Sequence, residues 1–281
     1  MIGLLRAEWL RLRKRRDLWL VALALVALSI VAYASGLSSA ETNYAIPPGE
    51  QIPPEILEQI RQQRLQYAFP LSIGSVVQNG QILVLALIAY VAAAVSGAEY
   101  AYGTVRTSLV AHADRRGFMI VRLAGLTVVG VVLIGLLVLV GALLPAIAML
   151  LGTRFPAVVD QEFGSLAGLV AVTLLTACFV IGLTSLWVVL IRNAAIALVL
   201  TIAYVLSEGA IVGLIVRAAG EESAIRWVLP VSDLQLLFSR VHDTSMGAAM
   251  PTPLAISLGI AWVLATCSGA VGVLARSDIS E

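Results

Sequence analysis

Few side chains in this sequence could do chemistry, and their positions limit what that chemistry can be. Glu208, in Ser207-Glu208-Gly209, is the one carboxylate clearly inside a long apolar run. Gln78, Asn79 and Gln81, with Ser72 and Ser75, place amides and hydroxyls inside another. An ionisable group in hydrocarbon costs several kcal/mol and is kept facing a bundle interior, a partner or water. By helical rise Glu208 lies about 5 Å from the middle of its run, at a depth comparable with the amides. Two readings stay open for these groups: a polar lining or outer gate of a pathway, or a helix-packing hydrogen bond worth about 1 kcal/mol or less. Elsewhere Glu221-Glu222 with Arg226, then Phe238 and His242, offers carboxylates and an imidazole, which in convergence can activate water. The only other histidine, His112, falls on the opposite side of the apolar runs, so the two cannot share a metal. Cys178 and Cys267 both stand within apolar runs, where a thiol behaves as a small apolar group. Lys14 is the only lysine and follows no Gly-rich loop, so a phosphate-cradling ATP site is excluded.

The elements that hold these groups are six apolar runs at 18–36, 73–97, 123–151, 165–191, 194–216 and 253–275. About 20 such residues cross a bilayer as a helix. The 281 residues are 60% hydrophobic and 12% charged, with mean hydropathy +0.96. The runs do not alternate, which excludes a membrane barrel. The first is about the length of a full span and precedes no small-x-small cleavage pattern, so it is expected to be retained. The fold class is an all-α membrane protein with six transmembrane helices. Arg6, Arg11, Arg13, Lys14, Arg15, Arg16, Arg106, Arg115, Arg116, Arg122, Arg192 and Arg276 gather on one side. The other side has Arg61, Arg64, Arg154, Arg217, Arg226 and Arg240 among many acids. Basic loops stay inside, so both termini are expected to be cytoplasmic.

Residues 1–17 form a separate element ahead of a six-span domain at 18–281. Ile2, Leu5, Trp9 and Leu12 share one helical face, with Arg6, Arg13 and Lys14 elsewhere, as in an amphipathic helix lying in the membrane interface. The alternative is that these charges only set topology. Prolines at 47, 48, 53 and 54 precede a polar stretch, Glu55 to Tyr67, expected to form a short external helix. The stretch Trp227 to Phe238 is expected to dip back onto protein or membrane, and Arg192-Asn193 to make a tight cytoplasmic hairpin. Pro145 and Gly135, Gly141, Gly182 and Gly213 read as kink and close-packing positions.

Between the second and third runs the sequence reads Glu99-Tyr100-Ala101-Tyr102-Gly103-Thr104-Val105-Arg106, continuing through Leu109 to Arg115-Arg116. Gly103 can break the descending helix and Thr104 can cap a short following one. Val105, Leu109 and Val110 give that helix an apolar face, while Arg106, Arg115 and Arg116 offer bidentate donors to carboxylates. By charge alone a positive-inside loop without a partner fits as well. The pattern Glu-x-x-x-Gly-Thr-hydrophobic-Arg, with the Arg pair beyond, resembles the corresponding segment of ABC-2-type transporter permeases. The stretch Glu8 to Arg11 before the first run is similar to that family's start, and the six-span layout matches over nearly the whole chain. Asp114 stands where many members carry proline.

The resemblance implies a G-subfamily-like exporter subunit with a cytoplasmic coupling helix. Glu99, Gly103, Thr104, Arg106, Arg115 and Arg116 would contact a separate ATPase subunit. That partner would bind ATP and magnesium, and this chain would hold no cofactor or metal and have no catalytic residue of its own. It also implies pairing with a second permease chain, in a prokaryotic plasma membrane among its lipids, and no nucleic acid. In the family the second and fifth spans line the pathway, where Gln78, Asn79, Gln81 and Glu208 would sit. The expected cargo is a hydrophobic drug, lipid or peptide. Two alternatives come from other classes. One is an ion-driven transporter or channel, disfavoured by a single clear intramembrane carboxylate and no evident repeat. The other is a CAAX-type intramembrane protease, which Glu221-Glu222-x-x-x-Arg226 and Phe238 to His242 resemble. Its further histidine motif is missing.

Overall fold

Long apolar sequence in a bilayer has no water to bond its backbone, so each run must satisfy its N–H and C=O groups internally as a helix. The computed structural model describes residues 2–42, 65–101, 115–151, 163–219 and 252–276, with a few single positions elsewhere. Among these residues the protein is all-helical: α1 Ile2–Arg13, α2 Arg16–Thr42, α3 Leu71–Ala101, α4 Arg115–Leu150, α5 Phe163–Ile191, α6 Ala194–Ala219 and α7 Thr252–Arg276. Six of them, α2 to α7, are long and apolar enough to cross a membrane. Each encloses most or all of one expected run. At 31 and 36 residues, α3 and α4 reach about 46 and 54 Å against a hydrocarbon core of ~30 Å. Both therefore overhang the apolar layer.

Gly103, Thr104 and Arg106 lie outside the described residues, as do Glu221, Glu222, Arg226, Phe238 and His242. The expected helix over Glu55 to Tyr67 and the expected inward fold of Trp227 to Phe238 fall largely outside them too. Leu234 and Leu237 are described, and both are buried.

The chain forms two compact units. The first comprises Met1–Trp19, Leu85–Val131 and Gly168–Glu281. Within it α5 is heavily enclosed, burying Phe179, Val180, Ile181 and Val188. A helix apolar around its whole circumference belongs in an interior. Its buried Thr173, Thr176 and Thr184 return their hydroxyl protons to carbonyls four residues back, at 2.7–2.9 Å. The turn into α6 is as tight as expected. Arg192 takes a left-handed φ of 57°. Asn193 Oδ1 then accepts from the N–H groups of Ala195 and Ile196 at 3.0 and 3.2 Å, capping α6.

The second unit comprises Leu20–Val84 and Val132–Ala167. Pro145 stands inside α4 and has no N–H to give the carbonyl of Gly141. The Ser72 hydroxyl donates to that carbonyl at 2.8 Å. Gly141 makes the approach possible, because a Cβ there would lie 2.9 Å from the Cα of Ile73. Ser72, which shares the depth of Gln78, Asn79 and Gln81, is thus committed to α3–α4 packing. In the same unit the Tyr33 hydroxyl donates to the Tyr67 carbonyl at 2.8 Å, with the two rings edge-to-face at 5.5 Å.

The glycines divide. Gly141 and, in the first unit, Gly182 are close-packing positions; a Cβ on Gly182 would lie 2.5 Å from Thr266 Oγ1. Gly135 and Gly213 are not, since among the described residues a Cβ at either meets nothing within 4 Å. Helical glycines facing open space carry no packing signal in sequence, and these two looked the same as the others.

Candidate functional site

The ends of α3 and α4 that flank residues 102–114 are held together with α1 inside the first unit. α1 lies on α4 at Gly125, where a Cβ would come 3.2 Å from Leu12 Cδ1 and 3.4 Å from Glu8 Cγ. Leu12 is buried there, while Trp9 and Leu10 stay exposed. Glu8 and Arg11 lie one turn apart and therefore project from the same side of α1. They meet Glu99, near the end of α3, and Arg122, two turns into α4.

Glu99 is the centre of the group. Arg11 Nη1 donates to its Oε1 at 2.6 Å, and Arg122 Nη2 lies 2.6 Å from the same oxygen. The Glu8 carboxylate completes the ring, 3.7 Å from Arg11 and 3.8 Å from Arg122. Arg122 also stacks 4.7 Å over the Phe118 ring, one turn back on α4. Glu99 and Arg122 are each only 4% exposed. Two carboxylates face two guanidiniums, so the group is neutral as a whole, which is what makes its burial tolerable. Beside it, burial and the neighbouring Arg11 pull the Arg15 guanidinium below its ordinary value.

The end of α3 has a second contact. Gly97 takes the methyl of Ala194, the first residue of α6, against its backbone. Ala93, Val188 and Ala197 are buried together there, with Tyr100 and Trp187 against them. Charged and apolar contacts thus both fix the base from which segment 102–114 leaves.

The expected coupling residues distribute unevenly. Glu99 is interior, with its carboxylate taken up by the chain's own arginines. Arg115 and Arg116 open α4, the first half-buried and the second exposed. Glu208 on α6 is 0% exposed and shares a hydrogen bond with Tyr204, one turn before it. Gln81, on α3 in the second unit, is half-buried; the side chains of Gln78 and Asn79 lie outside the described residues. Among the described residues no three His, Cys, Asp or Glu side chains gather to hold a metal.

Sequence reasoning missed Glu8, Arg11 and Arg122 as site residues. Arg11 and Arg122 entered it as topology charges, and Glu8 to Arg11 also as part of the resemblance. The available signal was Arg122 standing within an apolar stretch after Arg116, where an unpaired guanidinium would be costly. No family model matches the chain, and no curated protein matches it.

Proposed function

We propose that this membrane protein is the permease subunit of an ATP-driven transporter of the ABC-2 type, worked by a separate ATPase. One observation supports this above the rest. The segment carrying the Glu-x-x-x-Gly-Thr-Val-Arg pattern springs from a base where Glu99 joins α1, α3 and α4 through Arg11 and Arg122. A push on such a segment would reach three helices at once. In this scheme Gly103, Thr104, Arg106 and Arg115 meet the ATPase on the cytoplasmic side, and Glu99 holds the segment from within. Closure of two ATPase subunits would bias the tilt of two permease chains, and differential contacts in the two states supply the coupling. The cargo class is a hydrophobic drug, lipid or peptide, and export is the direction.

The test is co-purification from native membranes, followed by nucleotide-dependent transport in vesicles. An ATPase subunit should accompany the chain. Arg106→Glu should abolish nucleotide-driven transport while leaving folded yield unchanged. Transport by the isolated chain without nucleotide would sink the proposal, as would labelling that places residues 102–114 outside the cell.

A further inference from the structure

A groove of about 610 Å³ opens between α4 and α7 within the first unit. Its volume falls within the ~300–1,000 Å³ typical of ligand sites. Its two walls are stripes at helical spacing, Ile120, Leu123 and Thr127 on α4 facing Leu264, Val271 and Ala275 on α7. Arg116 and Arg276 both line it, and both are exposed. They stand at the same end, because α4 begins where α7 finishes. Small residues make the room: among the described residues a Cβ on Gly272 would meet nothing within 4 Å, and Ala124 opposite is exposed.

The dimensions select the occupant. From Arg116 to Thr127 the groove rises about 16 Å, and from Arg276 back to Leu264 about 18 Å. Half of a bilayer's hydrocarbon thickness is ~15 Å. The groove is therefore one leaflet deep, mostly apolar apart from the Thr127 and Ser268 hydroxyls, and basic only at its mouth. Basic pockets between membrane helices at an interface recognise anionic headgroups, and guanidinium pairs suit phosphate.

We infer that this groove is a binding site for one anionic phospholipid, its acyl chain lying between α4 and α7 and its phosphate held by Arg116 and Arg276. Only the choice of leaflet, the cytoplasmic one, rests on the orientation proposed above. The occupant is a resident lipid wedged between two helices of one chain rather than transported cargo.

The experiment titrates the purified full chain, without any ATPase, with phosphatidylglycerol or phosphatidylcholine of matched acyl chains, read by native mass spectrometry. Phosphatidylglycerol should bind more tightly. The Arg116→Gln/Arg276→Gln double variant should weaken it about 25-fold, some fivefold for each charge removed. Gly272→Leu, which fills open space, should reduce binding of both lipids; Ala124→Leu serves the same purpose if that variant elutes aggregated. Glycerophosphate should not compete. Equal binding of the two lipids, unchanged affinity in the double variant, or displacement by glycerophosphate would overturn the inference. So would a Cys267–Cys267 cross-link between copies, which would put a second chain in the groove. Because no nucleotide enters the assay, its failure leaves the permease proposal standing, and the converse also holds.

Discussion

Removing the Glu99 charge should destabilise the isolated chain strongly, and removing its partner with it should not. In Glu99→Gln, where a neutral amide oxygen stays as acceptor, Arg122 is still 4% exposed but has lost its nearest carboxylate charge. The Glu8 oxygen, 3.8 Å away, is too far to replace it. Breaking one side of a buried pair costs about 3–5 kcal/mol. Arg11 differs, because its side chain is 35% exposed and can hydrate; Arg11→Gln should cost about 1 kcal/mol or less. Replacing both charges by apolar groups of similar volume, Glu99→Leu with Arg122→Met, should return most of the stability, since such swaps are often neutral. The double-mutant cycle built on Glu99→Leu and Arg122→Met, singly and together, should therefore give a coupling of ~3 kcal/mol, at the top of the 0.5–3 kcal/mol range usual for residues in one network. Denaturant titration of the purified chain, followed by tryptophan fluorescence, measures all four corners. A Glu99→Gln variant as stable as the parent would refute the reasoning, and would free Glu99 for a partner's surface. A double variant as unstable as the sum of the singles would refute it differently, by showing two unrelated packing roles.

Three further outcomes follow from the geometry. Ser72→Ala should cost about 0.6–1 kcal/mol in the same titration, and nothing in a Pro145→Ala background, where the restored N–H can take the Gly141 carbonyl. Gly141→Ala should cost about 1–3 kcal/mol through overpacking, whereas Gly135→Ala, facing open space, should be neutral or raise helix stability; thermal melts of the two variants compare them directly. Glu208→Gln should impair transport by the assembled complex if Glu208 serves a gate. Intact transport and partner ATPase stimulation in that variant, with only reduced folded yield in Glu208→Leu, would reduce Glu208 to a packing residue bonded to Tyr204.

What could be read from sequence was whatever a single run declares on its own. Each span reports itself through length and hydropathy, and the α5–α6 hairpin through two polar residues, one of which, Asn193, is also a good cap. What could not be read were partnerships between runs. Arg122 and Glu99 are 23 positions apart and Arg11 and Glu99 88 apart, and no periodicity links them. Ser72 could be grouped by depth with Gln78 and Asn79, but its partner could not be read. Its actual role needed Pro145 to free one carbonyl and Gly141 to admit a neighbouring backbone, a coincidence of three residues on two helices. The two sets of glycines likewise share a sequence appearance and differ only in what faces them.

The ion-paired group also bears on how the charge bias should be counted. Twelve basic residues stand on the side proposed to be cytoplasmic and six on the other. Arg11 and Arg122 are neutralised by Glu8 and Glu99, so they offer little to the field that orients the finished helices. Ten against six remains, and the sign survives. The residues left to face headgroups on that side include Arg6, Arg13, Lys14 and Arg16 on or beside α1. Charge that fixes the fold and charge that faces the membrane are therefore held by different residues. Removing the Glu99 pair should change stability without inverting the protein, whereas neutralising Arg13, Lys14 and Arg16 together should weaken orientation while leaving the buried group intact. Accessibility labelling of single cysteines in 102–114 separates the two. If Glu99→Leu with Arg122→Met inverts the chain, the paired charges still act on topology during insertion, and burial in the folded state is not what decides their weight.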